Sequence, residues 1–138
     1  MTLISPELHE LVVNRAGNRC EYCRLSQECQ VATFPVDHIV PAASGGKTEF
    51  ENLALACPRC NARKWTRVEV LDAVTNEMIT LFNPRKQIWT DHFRWSDTDP
   101  TVLEPVTPTG RVTVALLDLN AEALHTIRRW LHVIGMHP

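Results

Sequence analysis

The chain contains no apolar run near the ~18 to 20 residues that a membrane span needs, so no membrane partner is expected. Its opening, residues 1–15, lacks the basic start and continuous apolar core of a secretory signal, and a cytoplasmic location is expected. A basic surplus is missing too: 14 Lys and Arg stand against 16 Asp and Glu, a net charge of −2. Proteins that wrap nucleic acid non-specifically are driven by counterion release and carry such a surplus. Any contact with nucleic acid must therefore come from a local patch. There are no internal repeats and no low-complexity tract. At 138 residues, with 44% hydrophobic and 22% charged side chains, the chain suits one soluble domain with a small appended lobe.

Charge and cysteine are unevenly placed. Residues 1–67 hold 8 basic and 7 acidic side chains, whereas 68–138 hold 6 and 9. All five cysteines lie in the first half. Four of them form two pairs, Cys20-Glu21-Tyr22-Cys23 and Cys57-Pro58-Arg59-Cys60, with 33 residues between. In a reducing compartment two such pairs read as a four-thiolate structural zinc site, each supplying two corners of a tetrahedron. Disulfides would need export, and thiol redox chemistry would need a single pair in a βαβ setting. The fifth, Cys29, reads as a small core hydrophobe. The spacer exceeds that of a simple zinc ribbon, so a substantial element is inserted between the halves of the site.

The residue pattern places elements around that insertion. Ser5 and Pro6 are start signals for a helix whose stripe is Leu8, Leu11, Val12 and Ala16, ended by Gly17. Residues 31–40 read as a strand, 44–47 as a flexible turn, 52–56 as a short second strand, and 58–67 as a helix. Residues 77–82 read as a strand stopped by Asn83-Pro84, and 89–95 and 101–106 as weaker strands. Thr107 to Gly110 opens a helix with Val112, Ala115, Leu116 and Leu119 on one face, and Asn120 caps a last helix bearing Leu124, Ile127, Leu131 and Ile134. Trp65, Trp89, Trp95 and Trp130 are the expected packing anchors. The expected class is α+β: an N-terminal helix and a zinc-pinned ββα core over 1–67, then a small β plus two-helix extension over 68–138 packed on that core.

Asp37 and His38 lie between the cysteine pairs in the expected strand, where adjacent side chains face opposite ways. Asn61 follows Cys60 directly and is brought near them if a metal joins the halves. A carboxylate from Asp37 and a neutral oxygen from Asn61, completed by water and phosphate, describe a Mg²⁺ site.

These strings, Cys20 to Cys23, Asp37-His38-Ile39-Val40-Pro41, Gly45 to Leu53, and Cys57 to Asn61 with Lys64, resemble the HNH endonuclease family over about residues 8–67. The resemblance implies a ββα-metal fold with one divalent cation, Mg²⁺ or Mn²⁺, against a scissile phosphate. It implies that His38 is the general base, Asp37 and Asn61 are metal ligands, and Asn52 ties down the loop and orients the histidine. Asn61 stands where many members carry histidine. The implied activity is metal-dependent hydrolysis of DNA phosphodiester bonds, RNA remaining open as a substrate, as does oligomeric state.

Each residue has a plainer rival. His38 alone reads as a strand histidine bonded to backbone, Asn52 as a turn cap, and Asn61 as a helix-surface residue. Arg59, Arg63, Lys64 and Arg67 recur at helical spacing and form either a solvated face or a basic stripe that clamps phosphate. No element is suited to reading base edges in the major groove. The competing function is a non-catalytic zinc module that binds nucleic acid or protein. It needs the cysteines and the stripe but not the Asp37-His38 pair.

Overall fold

A computed structural model describes residues 3–138. The chain divides into two compact units. One runs up to Arg67 and includes Asn83–Arg85; the other comprises Val68–Phe82 and Lys86–Pro138.

In the first unit, helix α1 spans Pro6–Arg15, and the Ser5 hydroxyl accepts from the Leu8 N–H at 3.1 Å. Pro6 occupies the first turn, where a missing N–H is harmless. Gly17 follows with φ +63°, the left-handed geometry that ends helices. Of the expected stripe only Val12 is fully buried, and Leu11 is exposed. Arg15 secures the helix instead. Its guanidinium donates to the carbonyls of Phe50 (2.7 Å) and Leu53 (2.6 Å) and lies 3.6 Å over the Phe50 ring.

Strand β1, Val36–His38, pairs antiparallel with β2, Leu53–Leu55, with Asp37 opposite Ala54 and His38 opposite Leu53. The expected strand over 31–40 is thus reduced at its start. The Phe34 N–H is taken by the Gln27 side chain at 2.6 Å, and Pro35 has no N–H to offer a ladder. The loop from Val40 to Asn52 is closed by one side chain. Asn52 Oδ1 accepts from Val40 N, and its Nδ2 donates to the carbonyls of Val40 and Lys47, all at 2.9 to 3.0 Å. Gly46 is required at this closure, because a β-carbon there would lie 1.7 Å from the Val40 carbonyl oxygen. Helix α2, Pro58–Lys64, is capped by the Cys57 sulfur, which accepts from Cys60 N. It stops three residues short of the expected 67, where Trp65 takes φ +49°. The Asn83–Arg85 segment joins this unit through an ion pair between Arg85 and the buried Glu21, whose other oxygen accepts from Leu55 N at 2.8 Å.

The second unit contains two hairpins and two helices. Strands β3 (Glu69–Leu71) and β4 (Met78–Thr80) pair antiparallel, as do β5 (Phe93–Trp95) and β6 (Leu103–Pro105). Helix α3, Pro108–Leu117, is capped by Thr107, whose hydroxyl accepts from Gly110 N at 3.0 Å. Gly110 lets the helix approach β5, since a β-carbon would fall 2.1 Å from the His92 carbonyl oxygen. The buried face of α3 is Gly110, Val112, Thr113 and Leu117, while Ala115 points to solvent, a rotation from the expected face. Helix α4, Glu122–Val133, buries Leu124, Arg128 and Leu131. Asn120 is not its cap. Its side chain bonds both polar groups of Leu103, at 2.8 and 2.7 Å, and so holds β6. Phe82, Trp89, Phe93 and Trp95 stack with ring centroids 5.1 to 5.8 Å apart, the aromatic centre of this unit. Trp65 and Trp130 are 74% and 67% exposed, so neither is a packing anchor.

The architecture is α+β, with small antiparallel hairpins, four α-helices among the described residues and a cluster of four cysteines. No helix among the described residues is long and apolar enough to cross a membrane.

Candidate functional site

Two centres form in the first unit. The first is made of Cys20, Cys23, Cys57 and Cys60, all buried, with their sulfurs within 4.8 Å of one another. Sulfurs at ~2.3 Å around a tetrahedral zinc lie about 3.8 Å apart. The Cys23 and Cys57 sulfurs are separated by 3.8 Å. Cys23 N donates to the Cys20 sulfur and Cys60 N to the Cys57 sulfur, the amide–sulfur bonds that stabilise thiolates in turns of this kind. Hydrogen bonding from Cys20 draws the Cys57 thiol far below its ordinary range, and the same cysteine pushes Cys23 and Cys60 up. The four cannot all ionise side by side unless a cation replaces their protons, and a divalent, thiophilic ion fits the donor set. Cys29 lies apart in a single 3₁₀ turn and takes no part.

The second centre is a cleft of about 280 Å³ bordered by β1, the start of the following loop, and α2. Strand alternation puts Asp37 on the buried side and His38 on the half-open side. Both border the cleft, together with Asn61. His38 Nε2 lies 2.8 Å from the Thr48 hydroxyl, and its Nδ1 has no hydrogen-bond partner among the described residues. When Nε2–H donates to Thr48, Nδ1 presents a lone pair to the cleft. Thr48 was within a recognisable string, but only the closed loop reveals that it reaches the histidine.

Asp37 is held from two sides. The Tyr22 hydroxyl donates to Oδ2 at 2.8 Å, and the Lys64 ammonium lies 3.0 Å from the same oxygen and 3.4 Å from Oδ1. Lys64 also donates to the Ile39 carbonyl at 3.0 Å and the His38 carbonyl at 3.4 Å. Burial raises the Asp37 carboxyl above its ordinary value, with Lys64 and Tyr22 pulling the other way. Burial, reinforced by the Asp37 charge, pushes the Tyr22 phenol well up. From sequence neither partner is assigned this role: nothing is drawn from Tyr22, and Lys64 is placed in the basic stripe.

The basic stripe is therefore corrected. Lys64 is 2% exposed and faces Asp37, so it is not on an outer face with Arg63. Arg67 lies beyond the end of α2, so helical spacing does not place it with Arg59 and Arg63. Arg63 and Arg67 are exposed and Arg59 is half-buried.

Asp37 and Asn61 contribute hard oxygen donors to one cleft, a set that suits Mg²⁺ or Mn²⁺ more than a thiophilic ion. No curated protein and no solved structure matches the chain significantly. One family model does, over residues 20–67, and its description is HNH endonuclease. That span contains both cysteine pairs, the β1–β2 hairpin and α2. Residues 20–67 of the chain are thus similar to the HNH endonuclease family.

Proposed function

We propose that this protein is a metal-dependent endonuclease that hydrolyses DNA phosphodiester bonds, with a structural zinc at the four cysteines. The observation that carries the reading is the convergence of His38, Asp37 and Asn61 on one cleft, separate from the thiol cluster. The zinc cluster alone would need no such cleft. A four-thiolate zinc site suits a reducing compartment such as the cytoplasm. Residues 68–138, apart from the Asn83–Arg85 segment that belongs to the first unit, are an accessory extension to the nuclease module.

In this mechanism His38 Nδ1 accepts a proton from the attacking water as its oxygen bonds to phosphorus, while the bond from phosphorus to the 3′ oxygen breaks and that oxygen leaves as a hydroxyl protonated from solvent. Thr48 holds Nε2 so that the ring keeps one tautomer and one orientation. Asn52 keeps the loop closed around that pair. Asp37 and Asn61 would hold a divalent cation, which would supply charge neutralisation at the scissile phosphate. Tyr22 and Lys64 fix the Asp37 carboxylate, and Arg59, Arg63 and Arg67 contribute phosphate contacts at the edge.

A second reading has one observation in its favour. Lys64 already neutralises Asp37 at 3.0 Å, as it would in a zinc module that binds without cleaving. Incubation of supercoiled plasmid with the purified protein separates the two. The nuclease reading expects nicked or linear product only with added Mg²⁺ or Mn²⁺. Intact plasmid with every divalent cation, from zinc-loaded folded protein, would leave the binding module.

A further inference from the structure

Trp65 is the residue whose placement the mechanism leaves unexplained. Helix α2 ends at Lys64, whose side chain turns inward to Asp37, and the next residue adopts φ +49°, ψ −121°. That backbone conformation favours glycine, and a β-carbon there is strained. Strain of this kind persists where the surroundings impose it and tends to collect at functional positions. Packing is not the reason here, because the indole is 74% exposed. The side chain instead borders the same cleft as His38 and Asn61. A large flat apolar group is thus presented to solvent beside the proposed reacting atoms, with exposed Arg63 and Arg67 on either side of it in sequence.

We infer that Trp65 is a stacking platform for an unpaired nucleobase next to the scissile phosphate. This rests on the nuclease reading and specifies its substrate class. In a continuous duplex each base face is covered by its neighbours, so an indole reaches one only where the stack is interrupted. Aromatic stacking tolerates any base, because every base has a π-face. The preferred substrate is then a duplex carrying an unpaired base beside the cleavage position, recognised by its structure and not by its sequence. The arginines hold phosphates in any such substrate, whereas the indole discriminates between interrupted and continuous stacks.

The test compares two labelled duplexes, one fully matched and one with a single unpaired thymine, against the full zinc-loaded chain. Binding is read by fluorescence anisotropy without added divalent cation, and cleavage with Mg²⁺. The wild type should bind the interrupted duplex about tenfold more tightly, the scale of one aromatic–base stack. Trp65→Ala should bring the ratio of affinities close to one, and Trp65→Phe should keep most of it. Trp65→Gly should also lose the preference yet melt at or above the wild-type temperature, since glycine takes φ +49° without strain. A wild type that does not distinguish the duplexes, or a Trp65→Ala protein that still does, would overturn the inference. So would a Trp65→Gly protein melting well below wild type, which would assign the indole to packing. Failure of the nuclease reading is seen separately: neither duplex is cut with Mg²⁺, while the affinity ratio still reports on Trp65.

Discussion

Lys64 shows how far one side chain departs from what its spacing implies. At i, i+4 and i+5 from Arg59, the sequence places Arg63 and Lys64 together on one helix edge. In the fold only Arg63 is exposed, and Lys64 is an internal counterion for Asp37. The two should respond differently to substitution. Lys64→Met leaves a buried carboxylate without its cation, and breaking such a pair is expected to destabilise the protein by about 3 to 5 kcal/mol, measured by urea denaturation. Arg63→Ala should barely change stability but lower the salt slope of DNA binding by about one unit. Equal stability losses would contradict the inward placement of Lys64. The carboxylate itself stood out in the sequence as a candidate metal ligand, from its position between the cysteine pairs. Its anchors did not, because Tyr22 lies 15 residues and Lys64 27 residues away and only the fold brings them to it.

Elements with local chemical signals were readable, and those set by tertiary contacts were not. Ser5-Pro6 and Thr107-Pro108 each provide a cap and a first-turn proline, and both helices begin there. The end of α2 has no such signal, since a tryptophan stands where a glycine would have announced the stop. Asn120 has cap chemistry but spends both side-chain groups on β6, so the start of α4 was legible for the wrong reason. The turn from β3 to β4 depends on Asp72, which accepts from Val74 N and both donors of Thr75. Arg111 of α3 grips the same carboxylate with two bonds, at 2.9 and 2.6 Å. These bonds, Arg111 foremost, hold the Asp72 carboxyl well below the usual carboxylate range. Unfolded, Asp72 takes up its proton near pH ~4, whereas folded it resists until much lower pH. Its contribution is therefore present above pH ~4 and lost as pH falls toward the folded value. Asp72→Asn should melt below wild type at pH 7, with the gap in Tm narrowing steadily below pH ~4. A gap that widens in acid would reverse the sign of this account.

At the scale of the whole molecule, two units meet the folding requirement by different means. The second has its own aromatic centre and paired hairpins. The first places its two-stranded hairpin between the cysteine pairs, and three-residue strands are too short to hold a sheet unaided. Metal coupling supplies the rest, on the order of 10 kcal/mol for a structural zinc site. Metal analysis should return one zinc per chain, and replacing any one of Cys20, Cys23, Cys57 or Cys60 by serine should unfold the first unit while Cys29→Ser changes little. Soluble, folded protein without zinc would contradict this. The cysteine pairs made the zinc cluster legible because their spacing is local chemistry repeated twice. The cleft was legible only in its members, since its walls come from residues that approach when the strands pair. What the cleft does is decided most directly by the single-turnover rate of His38→Ala on a labelled duplex with saturating Mg²⁺. The account predicts a fall of about 10² to 10⁴, with zinc content, melting temperature and duplex affinity near those of wild type. A His38→Ala protein that cleaves at the wild-type rate would contradict it.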